Sequence, residues 1–206
     1  MKQKWFSLYN VYDDAKRYLD DDIFKEYYCQ NPKCYRLLTA CPAKNKLSKI
    51  KKLRADFVLL SAMNIHLCSD DFLALIAFHA KNDISFDVIN PNVNLLRIDS
   101  TCELNEELID EGPLCPQCGM PLWRISQRAS EGEKTRMFKN SDNETSLICR
   151  SKITMKDSSR ATYRMFARDI LVDELKKIKN FKKCIHFYEC IPANSDTAAW
   201  GNAQSD

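Results

Sequence analysis

From Phe57 to Ile89 the chain sets apolar runs against polar punctuation in an order that predicts a strand, a helix and a strand. Phe57-Val58-Leu59-Leu60 is a continuous apolar run. Ser69-Asp70-Asp71 then offers side-chain oxygens to the orphan N–H groups of a helix start. Phe72, Leu73, Leu75, Ile76 and His79 follow at helical spacing, and Ile84-Ser85-Phe86-Asp87-Val88-Ile89 alternates apolar with polar, the period of a half-buried strand. The same order returns near the C-terminus. Ile170-Leu171-Val172 leads into a short helix over 173–178, and residues 184–191 form a strand candidate that closes at Pro192. The two copies match in pattern rather than identity, which predicts a weak internal repeat. The fold class expected is mixed α/β (α+β), with two similar strand-helix-strand halves.

The remaining segments fill in the organisation. Trp5, Phe6, Tyr9, Tyr12, Tyr18, Phe24, Tyr27 and Tyr28 make the start of the chain aromatic. A strand is expected over 4–12 and a short helix from Asp13 or Asp20. The basic segment 44–54 reads as a loop or strand edge, and the polar stretch 126–159 as a long hairpin or partly mobile loop. The tail 193–206 has little to bury except Trp200 and is expected to be disordered. The division expected is an N-terminal half over 1–125 that carries the cysteine pairs, and a C-terminal half over 126–192.

With 206 residues, 45% hydrophobic and 29% charged, the chain can bury a substantial core as one large domain or two small ones. A net charge of +3 does not by itself point to nucleic acid. No two of the four glycines (112, 119, 132 and 201) are close enough to build a phosphate-cradling loop, which argues against Rossmann and P-loop nucleotide binders. There is no signal-peptide core and no apolar stretch of about 18 residues, so the expected location is cytoplasmic and no membrane contact is expected. Ten cysteines could suggest a secreted disulfide scaffold, but Cys68, Cys184 and Cys190 sit in apolar periodic segments, where buried free thiols fit better.

Two cysteine pairs carry the candidate chemistry. Cys29-Gln30-Asn31-Pro32-Lys33-Cys34 and Cys115-Pro116-Gln117-Cys118-Gly119 each place two soft ligands at the spacing one metal ion needs. Together, Cys29, Cys34, Cys115 and Cys118 supply the four ligands of a structural Zn2+ site. The second pair is the firmer knuckle, because Gly119 permits the turn that brings amides toward the sulfurs. Cys41 is a possible substitute ligand, and two unrelated pairs of free thiols are the plainer alternative. A catalytic dithiol lacks a thioredoxin-like βαβ context. His66, His79 and His186 read as packed or surface residues, and neither a His-Glu-x-x-His element nor a Gly-x-Ser-x-Gly elbow occurs. Asp20-Asp21-Asp22 reads as a helix start or solvated turn. No cofactor other than zinc and no enzymatic activity is expected.

Two charged stretches remain. Lys44, Lys46, Lys49, Lys51, Lys52 and Arg54 form a basic one; Asp99, Glu103, Glu106, Glu107, Asp110 and Glu111 form an acidic one that contains no basic residue. Such stretches are most often solvated faces. The sharper reading of the acidic one is a surface that docks a basic protein partner.

The arrangement of these elements resembles a known family. A cysteine pair near the start is followed by Ala55-Asp56-Phe57-Val58 entering an apolar strand, then by the helix and strand over 69–89. Cys115 to Gly119 comes next, and Phe166-Ala167-Arg168-Asp169-Ile170-Leu171-Val172 lies near the end. This looks like the bacterial double-CxxCG motif proteins and the related immunity proteins of polymorphic toxin systems. The resemblance implies a non-enzymatic protein that binds and neutralises one cognate toxin domain by occluding its active site. The alternative is a zinc-ribbon nucleic-acid-binding or regulatory protein that uses the basic stretch on phosphates, with binding that falls steeply with salt.

Overall fold

The computed structural model describes residues 4–10, 29–31, 34, 47–48, 50–53, 55–60, 65–126, 139, 145–157, 160–179 and 184–190. The helix expected from Asp13 or Asp20, the Asp20–Asp22 carboxylates, Cys41, four of the six basic residues of 44–54 (Lys44, Lys46, Lys49 and Arg54) and the tail 193–206 lie outside these residues.

The architecture is mixed α/β. Strands β1 (Trp5–Asn10), β2 (Phe57–Leu60) and β3 (Ile65–Cys68) precede helix α1 (Asp70–Ala80). Strands β4 (Ile84–Asn90), β5 (Val93–Ile98), β6 (Thr101–Cys102), β7 (Ile109–Asp110), β8 (Arg124–Ile125), β9 (Ile148–Asp157) and β10 (Arg160–Arg168) follow. Helix α2 (Asp169–Leu175) and strand β11 (Ile185–Cys190) complete the described elements. Among the described residues nine strands form two sheets, ordered β2-β3-β5-β4 and β11-β1-β10-β9-β6, and β7 pairs with β8 in a separate two-stranded ladder.

The repeat expected from the pattern is present in the topology. Helix α1 joins β3 to β4, and both strands pair antiparallel with β5 between them. Helix α2 joins β10 to β11, and both pair antiparallel with β1 between them. In each case a hairpin partner, β2 or β9, extends the sheet beyond the first of these strands. The units differ in the source of the central strand. In the first unit β5 follows β4 directly; in the second, β1 comes from the far end of the chain, Trp5 lying opposite both Arg168 and Cys190. The five-stranded sheet therefore draws on both sides of residue 125.

Helix α1 begins where the Ser69 chemistry placed it. Ser69 Oγ accepts from Phe72 N at 3.3 Å and donates to Asp56 Oδ1 at 2.9 Å. Helix α2 begins earlier than the pattern suggested: Ile170, Leu171 and Val172 are helical, and regular helix ends at Leu175 rather than Ile178. The start is fixed by the strand beside it, since Asp169 N donates to Lys4 O at 2.9 Å and Lys4 N donates to Asp169 Oδ2 at 3.3 Å. Leu171, Val172 and Leu175 then share a buried face. The stretch 126–159 ends in the hairpin β9–β10; residues 127–138 and 140–144 are outside the described set.

Both sheets bury one face in a common core with the two helices. Phe72 and Ile76 of α1 and Leu171 and Val172 of α2 meet Leu8, Met165 and Ala167 from one sheet and Phe57, Leu96 and Ile98 from the other. Buried Asp83 ties the sheets together at their junction. Its carboxylate accepts from Ser100 Oγ at 2.7 Å and from Leu147 N at 2.7 Å, and its backbone oxygen accepts from Asp99 N at 2.8 Å. Arg150 bridges the same seam, Nε donating to Ile98 O at 2.9 Å. The five-stranded sheet buries its opposite face in a second core of Trp5, Cys102, Leu104, Cys149, Met155, Phe166 and Cys190.

Candidate metal centre

The second cysteine pair sits at the tip of a narrow ribbon. Ile109 and Asp110 face Ile125 and Arg124 across the β7–β8 ladder. Beyond it, Gly112 N donates to Leu122 O at 3.1 Å, Leu122 N to Pro113 O at 3.3 Å, and Leu114 bridges Pro121. The strands approach closely at Gly112, where a Cβ would lie 2.2 Å from the Leu122 carbonyl oxygen. At the tip, Cys115 N donates to Met120 O at 2.9 Å and Gly119 N to Cys115 O at 2.8 Å. Gly119 closes the turn with φ +69°, the left-handed region that glycine enters without a Cβ penalty. The knuckle expected from Cys115-Pro116-Gln117-Cys118-Gly119 thus forms on a hairpin.

The first pair reaches the same point from the start of the chain. Cys34 N donates to Asn31 O at 2.8 Å, a turn that returns Cys34 toward Cys29. The four Sγ atoms of Cys29, Cys34, Cys115 and Cys118 all lie within 4.8 Å of one another; Cys29, Cys34 and Cys115 are buried and Cys118 is half-buried. Leu122 is the apolar residue buried among them. The Cys29–Cys115 and Cys34–Cys118 sulfur separations are 3.6 and 3.8 Å. These are far too long for a disulfide bond of about 2.05 Å. They match the edge of a sulfur tetrahedron around zinc, about 3.8 Å for a Zn–S bond of about 2.3 Å. The donor set and its spacing therefore suit a closed, four-coordinate metal ion such as zinc.

Local electrostatics favour the thiolate of Cys115. Burial works against ionisation of Cys115, but the backbone N–H groups of Cys118 and Gln117 and the neighbouring Cys29 and Cys118 thiols outweigh it, bringing its pKa down to about 6. Burial raises Cys29. Asn31 Nδ2 donates to Cys115 Sγ at 3.3 Å, a polar contact of the kind that orients a metal-binding sulfur. Three buried thiols elsewhere are held protonated: burial pushes Cys68 and Cys190 up to about 12, and a hydrogen bond with Cys102 together with burial raises Cys149. All nine described cysteines are free of disulfides.

The acidic residues divide into separate places. Asp99 lies at the end of β5, accepting from Ser85 Oγ at 3.2 Å. Glu106 and Glu107 are exposed in a 3-10 turn capped by Asn105, whose Oδ1 accepts from Glu107 N at 3.3 Å. Asp110 faces Arg124 in the ribbon ladder, and Glu111 is exposed beside it. Glu103 pairs with Lys152 at 3.0 Å, which holds its carboxyl below the usual range. Of the basic stretch, the described Lys51 and Lys52 are exposed. His66 is buried and stacked on Phe57, with burial and then the Arg150 charge lowering its pKa to about 4. His79 Nε2 lies 4.0 Å from Glu174 Oε2, and His186 is exposed. No histidine is at the cysteine cluster.

Sequence reasoning did not single out Asn31, Gly112 or Trp123. Asn31 was visible only as a residue between the two cysteines, and Gly112 as an isolated glycine before Pro113. In comparisons with known proteins, no family model, curated protein or solved structure matches this chain. Among the described residues, no helix is long and apolar enough to cross a membrane.

Proposed function

We propose that the chain is a zinc-stapled binding protein that acts as an immunity protein, neutralising a cognate bacterial toxin by covering its active site. One observation supports this reading: four cysteine sulfurs lie within 4.8 Å of one another, and an ion held by all four would have no position left for a substrate or a metal-bound water. Zinc bound there stabilises the fold, and function falls to the surfaces it holds in place. The resemblance to double-CxxCG and immunity proteins supplies the partner class. The acidic residues Glu103, Glu106, Glu107, Asp110 and Glu111, which cluster in sequence around the base of the ribbon, are the surface assigned to the toxin, with Asp99 a more distant contributor.

Elemental analysis of protein purified without added metal should give one zinc per chain; the absence of metal from folded protein would sink the staple. The immunity reading is tested by sequencing the neighbouring gene and, where it encodes a large secreted protein with a variable C-terminal domain, co-expressing that domain with this chain. A stable complex and restored growth are expected, and toxicity undiminished by the protein would refute it.

A further inference from the structure

At the base of the ribbon a groove of about 200 Å³ opens where the hairpin meets the five-stranded sheet. Its apolar lining includes Ile109 and Trp123 of the ribbon and Ile153 of β9, all half-buried and packed against the second core. Its charged lining is Glu103, Glu106 and Lys152. The volume is below the roughly 300–1,000 Å³ of sites that enclose a whole small molecule, and suits a single side chain.

We infer that this groove receives an arginine side chain of the protein partner. The inference rests on the binding reading above and names the chemistry of the contact. Charge selects a cation: the chain's own ammonium, Lys152 Nζ, stands 3.0 Å from Glu103 Oε1, while Glu106 has no ion pair among the described residues. The lining selects the kind of cation. An indole attracts a positive charge placed over its face, and a planar, weakly hydrated guanidinium stacks there at a smaller desolvation cost than an ammonium. The guanidinium lies along Trp123, its outer N–H groups donate to the Glu106 carboxylate, and its methylene stem covers Ile109 and Ile153.

The test uses the full, zinc-loaded chain and the peptide acetyl-Gly-Gly-Arg-Gly-Gly-amide, with the same peptide carrying citrulline as the uncharged isostere. The readout is the indole N–H resonance of Trp123, assigned by its disappearance in Trp123→Phe. A saturable shift is expected with the arginine peptide. It should weaken as salt rises and fall about tenfold in affinity in Glu106→Gln, the size of one lost charge-assisted hydrogen bond. Citrulline should give no saturable shift. An equal response to citrulline, an unaltered affinity in Glu106→Gln, or no shift with the arginine peptide would overturn the inference. No toxin is needed, so failure here leaves the immunity reading standing, and failure of toxin neutralisation leaves a positive peptide result intact.

Discussion

The ribbon pole and the helix-centred core solve the same problem by different means. Around α1 and α2, stability comes from area: both sheets and both helices contribute aliphatic and aromatic side chains to one continuous cluster. At the ribbon tip, Leu122 is the apolar side chain buried among the cysteines. A two-stranded hairpin of that kind is marginal in water unless something else holds it. Four sulfurs within 4.8 Å of one another supply that hold once a cation neutralises them. One part of the chain is therefore stabilised by its own packing, whereas the tip of the other carries a four-cysteine cluster that a metal ion such as zinc would tie together.

The sharpest way to break this contrast is to remove the ion. Structural zinc in small fingers binds with about 10–16 kcal/mol of apparent free energy, so chelation or Cys115→Ser should produce the largest change. Zinc content should be lost and amide protection should collapse in the ribbon, while α1 and α2 stay protected by hydrogen exchange. Equal loss in the helices would mean that the two regions form one cooperative unit. The reciprocal change, Phe72→Ala, removes a nearly fully buried ring from the shared core and should cost about 3–5 kcal/mol in denaturant unfolding. Zinc stoichiometry should remain at one.

Acid offers a third comparison, because His66 belongs to the core and not to the metal pole. Its folded pKa of about 4 lies below its unfolded value of 6.5. The unfolded chain therefore takes up the proton first, so this residue contributes no pH dependence above about 6.5 and destabilises the fold as pH falls toward 4. The full loss is about 3 kcal/mol. A His66→Phe variant should lack this component when the two proteins are melted side by side from pH 7 to pH 4.5. Parallel pH curves for parent and variant would show that His66 is not the acid-sensitive group. The smallest effect expected is that of Gly112→Ala. Its methyl would meet the Leu122 carbonyl and force the ribbon strands apart, at a cost of about 1–3 kcal/mol confined to the ribbon. A weaker zinc affinity with an unchanged core melt would check it.

What could be read from the sequence was what is encoded locally. Ser69 capped the helix it was expected to cap, and the alternation over 84–89 lies within β4. Cys115 to Gly119 declared a knuckle because its spacing and glycine belong to one turn. Strand β9 lay in a stretch read as a long hairpin or a partly mobile loop, left open between the two because Arg150, Ser151 and Lys152 look like loop residues. Yet Ser151 is fully buried, its hydroxyl donating to Ile153 O at 2.6 Å and accepting from Arg164 N at 3.0 Å. The start of α2 was misplaced because it is set by Lys4, at the far end of the chain. The convergence of Cys29 and Cys34 on the ribbon follows from the tertiary fold, and so does the groove at Trp123. The first was legible only through the ligand count of a four-cysteine site, and the second leaves no mark at short range.

The strand order also carries a consequence for biosynthesis. Strand β1 is the first described element to emerge during translation, yet its two neighbours are β10 and β11, the last of the described strands. At roughly 5–20 residues per second, Trp5 and Leu8 wait on the order of ten to forty seconds for the strands that will bury them. The unit built from β2 to β5 can collapse in the meantime. Completion of the five-stranded sheet, and with it burial of Trp5 and Leu8, is deferred until Cys190 has been made.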